Sequence, residues 1–137
     1  MINSFKGDNF FLSNFFSAPI IYEGLTYRNN EAAFQAAKTF INREEFTMLD
    51  PSSAKKLGRQ IELRKDWEQV KDDVMYNICL AKFTQNPSLR EKLIATGDEE
   101  LVEGNTWGDK IWGVVNGVGE NRLGKILMKV REELANV

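Results

Sequence analysis

The sequence predicts an α+β fold, predominantly α-helical, with a short β-hairpin near its N-terminus. Three observations carry that expectation. Two β-rich runs flank a turn-forming Glu23-Gly24 pair, several later segments place apolar residues at helical spacing, and beyond the hairpin only Leu101-Val102 offers a further short strand. A chain of 137 residues fits one domain, and it contains no Pro/Gly/Ser-rich linker, repeat or low-complexity tract, so 1-137 is read as a single domain.

The elements follow in order. Pro19-Ile-Ile-Tyr22 and Leu25-Thr-Tyr27 read as the two strands of the hairpin. Asn29 and Asn30 are suited to cap a helix running from Glu31 to about Ile41, whose Ala33, Phe34, Ala37 and Ile41 share one face. Arg43 to Leu49 reads as a second helix stopped by Asp50-Pro51, and Ala54 to Arg59 as a third. The strongest helical pattern runs from Asp66, with Gln69 three residues on as in a capping box, through Trp67, Val70, Val74 and Ile78 to Phe83. Asn86-Pro87 and Gly97 bracket a further helix. The last, near Asn121 to Ala135, carries Leu123, Leu127, Val130 and Leu134 as its buried stripe. Between Gly104 and Asn121 lies a glycine-rich segment with Trp107 and Trp112, longer than an ordinary connection and therefore expected to be functional.

Composition removes many functions. There is no histidine, which excludes histidine-activated nucleophiles and histidine-held zinc and leaves Glu, Asp, Lys, Tyr and backbone groups for acid/base or covalent work. Cys79 is the one cysteine, so no internal disulfide forms and a reducing compartment is expected. No cofactor or metal is expected, beyond a loosely held Mg²⁺ on substrate phosphates. A net charge of −2 gives no general attraction to nucleic acid or anionic membrane, so a polyanion must be met locally. No signal peptide or membrane-spanning stretch is recognisable, and the expected location is the cytoplasm.

Two constellations carry chemistry. Glu31, Gln35 and Lys38 fall at i, i+4 and i+7, one stripe of a helix surrounded by small alanines. Such a stripe is more often a solvated face, but a carboxylate near an amine in a partly buried pocket is a workable acid/base or Schiff-base pair. The run Asn116-Gly-Val-Gly119-Glu-Asn121 precedes a helix, where backbone N–H groups can hold phosphate; a plain tight turn is the competing reading. Asp109 and Trp112 lie just upstream, and an indole there can stack on a base or sugar. Lys55, Lys56, Arg59, Arg64 and Lys65 form the one local basic cluster, with Arg59 after Gly58 as a phosphate clamp.

These segments resemble the YbiA-like (NADAR) family in order along nearly the whole chain. Phe11-Leu-Ser-Asn14-Phe15, Asn30-Glu31-Ala-Ala-Phe-Gln35-Ala-Ala-Lys38, Ala54-Lys-Lys-Leu-Gly-Arg59, Trp67, Ala81-Lys-Phe83, Leu101-Val-Glu103, Asp109-Lys-Ile-Trp112-Gly113 and Gly117-Val-Gly119-Glu-Asn121-Arg-Leu-Gly124 match its motifs. The resemblance implies an N-glycosidase acting on a ribose C1–N bond near a phosphate. It implies two substrate branches: ADP-ribose on guanine, in DNA, RNA or a nucleotide, and ribosylamino-pyrimidine phosphates of riboflavin synthesis. The first is placed slightly ahead because the compact form shows no appended biosynthetic domain, and a non-catalytic ADP-ribose- or NAD-binding module is the reading from another class. The resemblance further implies Glu31 as the main catalytic carboxylate, Asp109 as a second polar group aligning sugar or water, and Lys38 as a Schiff-base former or ribose-orienting group. Arg59 and the Gly117 to Asn121 backbone, Gly119 included, would hold phosphate. Trp112 and Gly113 would pack on the ligand, and Asn14 and Gln35 would complete the binding set. Ala32 and Val114 depart from residues some members carry, which bears on the substrate branch.

Overall fold

The structure is a computed structural model describing residues 1–137. The fold is α+β with helices in the majority and one two-stranded antiparallel sheet. The chain gathers into two compact units, Asn14–Asn86 and Met1–Ser13 with Pro87–Val137.

The first unit begins with β1 (Ser17–Tyr22) and β2 (Leu25–Asn29), paired Ile20 to Tyr27, Ile21 to Thr26 and Tyr22 to Leu25. Glu23 and Gly24 both take positive φ, 48° and 86°, as a two-residue turn matched to strand twist requires. The register slips between Ser17 and Ile20, around Pro19, which has no N–H for the ladder. Ala18 and Ile20 are buried while Ile21 is exposed, the alternation of a one-sided sheet.

Helix α1 spans Asn30–Ala36 and is capped by Asn29, whose side chain accepts from the Ala32 N–H at 2.8 Å. It is shorter than its pattern suggests. The carbonyl of Lys38 accepts from the Arg64 N–H and that of Thr39 from Arg43 Nε, so the backbone is taken out of the helical ladder before Ile41. The segment expected as a second helix is a 3-10 turn, Arg43–Phe46. Helix α2 (Pro51–Gly58) starts earlier than expected, because Asp50-Pro51 opens it: Asp50 accepts from the Ser53 N–H and Pro51 occupies the first helical position.

Helix α3 (Trp67–Gln85) is the longest element. Asp66 precedes it but does not cap it, a correction to the expected capping box, since both of its carboxylate oxygens accept from the Arg64 guanidinium at 2.6 and 3.0 Å. At its far end Gln85 bonds both the N–H and the carbonyl of Ile21, and Asn86 bonds the Pro19 carbonyl, so side chains satisfy the open edge of β1. Helix α1 packs against α2, α3 and both strands, with the Phe34 and Trp67 rings 5.1 Å apart.

In the second unit, a 3-10 helix (Gly7–Leu12) precedes α4 (Pro87–Ala95) and α5 (Arg122–Ala135). Leu123, Leu127, Val130 and Leu134 of α5 are buried, as their spacing predicts. The expected strand at Leu101-Val102 is a single parallel bridge, in which Val102 donates to and Glu100 accepts from Ile2. No helix is long and apolar enough to cross a membrane.

Candidate active site

The first unit brings together Asn14, Glu31, Gln35, Lys38 and Arg59. The Asn14 carbonyl accepts from the Glu31 N–H at 3.1 Å, and its side-chain oxygen accepts from Asn30 Nδ2 at 3.2 Å. Asn30 also reaches Cys79 Sγ, and Asn14 reaches Met75 Sδ, so the start of α1 is anchored in the buried face of α3. Glu31 is thereby fixed by its backbone at the first turn of α1, where an acidic side chain is favoured by the helix dipole. The residue is only 9% exposed, and Oε2 accepts from Gln35 Nε2 at 2.5 Å.

Lys38 lies two residues beyond the end of α1 rather than on it, which corrects its placement on the helical stripe but keeps it near Glu31. Burial pushes its ammonium below the ordinary lysine value, and the cations Lys55, Arg59 and Lys71 add to the shift while Glu31 opposes it. Its ammonium stands 5.9 Å from the centre of the Phe34 ring. The positive cluster therefore differs in membership from the one the sequence suggests. Arg64 leaves it, paired with Asp66 and stacked 4.1 Å over Phe40. Lys71, from α3, enters it, though it also pairs with Glu68.

Arg59 follows α2 with an exposed side chain. Gly58, beside it, is buried, and a Cβ there would overlap the side chain of Gln35. The Gly-Arg pair thus has a structural first half, close approach of α2 to α1, and an accessible cationic second half.

The second unit holds Asp109, Trp112, Gly113, Gly117, Gly119 and Asn121. Asp109 Oδ1 accepts from the N–H groups of Ile111 and Trp112, closing a turn in the glycine-rich segment. Asn116 and Gly117, at φ 51° and 80°, form the tip of a tight turn in which Val115 and Val118 exchange both backbone hydrogen bonds. Within the expected phosphate cradle, Gly117 to Asn121, the N–H groups of Val118, Glu120 and Asn121 are engaged inside the protein. The N–H groups of Glu120, Asn121, Arg122 and Leu123 donate to the carbonyls of Lys110, Gly113, Ile111 and Trp112, so the amides leading into α5 are already paired within the protein. Asn121 is likewise structural. Its side chain accepts from the Glu103 N–H and donates to the Leu101 carbonyl. Gly119 and Gly113 approach each other too closely to admit a Cβ on Gly119.

Sequence reasoning missed Asn105, which is buried and holds this loop together. It donates to Glu103 Oε2 and to the Asp109 carbonyl, both at 2.9 Å, and accepts from the Asp109 N–H. It also missed the Asn14–Asn30 pair behind Glu31. The visible signal was an Asn after a Gly in one case and Asn30 beside Asn29 in the other, neither specific by itself.

The NADAR domain family matches residues 3–135 of the chain. The N-glycosidase YbiA of Shigella flexneri serotype 5b is 45% identical over 130 residues, covering 90% of this chain and 80% of the relative. A riboflavin biosynthesis protein of Vibrio vulnificus is 39% identical over 130 residues, and this chain corresponds to 35% of that longer protein. Among solved structures, that of YbiA from Escherichia coli, determined by NMR, superposes with a TM-score of 0.85 at 39% identity, covering 99% of this chain and 88% of the other.

Proposed function

This chain belongs to the NADAR domain family and is an N-glycosyl hydrolase, and from that premise we propose that it cleaves the ribose C1–N bond of a phosphorylated ribosyl compound with Glu31 as its catalytic carboxylate. One observation carries the reading: Glu31 is a buried, tethered carboxylate that interacts with Lys38, an amine which also feels the cations Lys55, Arg59 and Lys71. Departure of the base leaves positive charge on C1 and the ring oxygen, which a fixed carboxylate stabilises while water adds at C1 and the nitrogen takes a proton. The cations supply the complement to a phosphate. Lys38 either orients the ribose or forms a transient imine with ring-opened C1; a buried amine with lowered proton affinity suits both.

The geometry redistributes the remaining roles. Asn14 acts behind α1 as a support for Glu31, and Asp109 shapes the loop that carries Trp112, the aromatic candidate of its unit. The family span of residues 3–135 supports reading 1-137 as one domain. Cys79, buried and unpaired, supports a reducing compartment such as the cytoplasm.

Between the two substrate branches, the Vibrio relative favours a ribosylamino-pyrimidine phosphate of riboflavin synthesis, and ADP-ribosylated guanine becomes the second reading. The test is turnover by wild type and Glu31→Gln on both compounds, followed by chromatography and mass spectrometry. Release of ribose 5-phosphate by wild type, lowered about 100-fold or more in the variant, supports the first branch; release of ADP-ribose supports the second. Binding of ADP-ribose without turnover of either would replace the glycosidase by a binding module.

A further inference from the structure

We propose that Gln35 is a positioning residue for Glu31, not a substrate contact, and that the bare Cα of Gly58 is what allows it to act. This rests on the reading of Glu31 as the catalytic carboxylate. Glu31 and Gln35 stand at i and i+4 on α1, are 9% and 5% exposed, and meet through Gln35 Nε2 and Glu31 Oε2 at 2.5 Å. The other end of the carboxamide, Oε1, is buried and has no hydrogen-bond partner. It lies against Gly58, at the spot a Cβ on that residue would take.

An orphaned buried oxygen is unfavourable, and leucine or methionine would fill the same space without one. The amide is therefore explained by its other end, the donor to the carboxylate. The orientation follows from chemistry as well: turned over, the amide would set its oxygen against a carboxylate oxygen. Gly58 needs the same explanation. A glycine at the end of α2 weakens the helix, yet any larger residue would displace the Gln35 carboxamide from the position in which it donates to Glu31. The pair forms a two-helix clamp that fixes Oε2 and favours the ionised state of Glu31.

Lys38, after α1, is the cation that interacts with the carboxylate, and it in turn feels Lys55 of α2, Arg59 just after α2 and Lys71 of α3. In the hairpin and the Arg43–Phe46 turn, Glu23 and Arg43 pair with each other, and on α3 Cys79 and Lys82 act on one another. None of the cations is altered by the substitutions below.

The experiment is a carbon-13 NMR titration of the glutamate side-chain carboxyls, with the Glu31 signal assigned by its loss in Glu31→Gln. Gln35→Met is expected to raise the Glu31 midpoint by about one pH unit, the usual scale for losing a hydrogen bond to the charged form. Gln35→Glu, which places a second carboxylate there, raises it further, and Gly58→Ala moves it in the same direction as Gln35→Met although it removes no polar group. In turnover, Gln35→Met lowers kcat with KM little changed, whereas loss of a substrate contact would raise KM. Midpoints unchanged in both Gln35 variants overturn the proposal, whether or not Gly58→Ala folds. Shifted midpoints in a protein that turns over neither substrate would leave the clamp standing and remove the catalytic reading of Glu31.

Discussion

The backbone N–H of Arg64 donates a 2.8 Å hydrogen bond to the carbonyl oxygen of Lys38. Residues far apart in the chain thus meet at the end of α1, where the Arg64 guanidinium also reaches the Ala37 carbonyl at 3.4 Å. This contact decides that the helix stops, and so where the Lys38 amine stands.

Lys38→Met is expected to lower kcat about 100-fold, the usual scale for losing a positioned acid/base or nucleophilic amine. Lys38→Arg then separates its two roles, because a guanidinium keeps the charge but does not deprotonate. Recovery of activity in the arginine variant would assign ribose orientation; loss equal to that of methionine, with borohydride trapping an adduct on wild type, would assign the imine. Arg64→Ala, which leaves Lys38 chemically intact, should reduce kcat by a smaller factor.

Arg59→Met and Lys55→Met are expected to raise KM for the phosphorylated substrate about tenfold each, as loss of one charge-assisted hydrogen bond implies. The dephosphorylated ribosyl compound should be cleaved no worse by the variants than by wild type. Equal losses on both compounds would place the phosphate elsewhere.

Stability should depend on pH through Lys82, which is 1% exposed, lies 5.5 and 5.0 Å from the Phe16 and Phe83 rings, and has its pKa lowered to about 8 by burial. A lysine whose folded pKa lies below its unfolded value carries its full penalty at low pH and loses it as pH rises from the folded pKa toward the unfolded one. Stability should therefore climb between about 8 and 10.5, the ordinary value for lysine. Cys79 acts oppositely. Its thiol is pushed up from 9.0 to about 12 by burial, so its contribution falls above pH 9 and offsets the gain. Urea denaturation should show a rise confined to about pH 8 to 9, and Lys82→Met should abolish it.

Asn29→Ala should destabilise the protein by about 1 to 2 kcal/mol. It removes the α1 cap to the Ala32 N–H and the 3.1 Å bond from Asn29 Nδ2 to the Leu49 carbonyl. Denaturant midpoints measure it directly, and an unchanged midpoint would show that the adjacent Asn30 takes over the cap.

Hairpin, central helix and terminal helix were all legible in the sequence because each is specified by residues close together in the chain. Glu23-Gly24 fits a turn needing two positive φ values, and Leu123, Leu127, Val130 and Leu134 repeat at the period of a helix. Glu31 and Lys38 were equally visible as a candidate pair. What the sequence did not disclose is which partner each polar group takes. Asp66 is a good cap by residue type, yet Arg64 claims both its oxygens. The Asn116 to Asn121 run suits phosphate by composition, yet the carbonyls of residues 110–113 take the amides of residues 120–123.

The sequence by itself therefore determined the α+β class, the family motifs and the candidate carboxylate and amine, because periodicity, turn chemistry and residue type are local properties. Tertiary structure decided where α1 ends, that Gln35 faces Glu31 and Gly58 instead of open space, and that the amides of residues 120–123 are already paired. A donor or acceptor is satisfied by whichever group folding brings to it, and that group is seldom its neighbour in the chain.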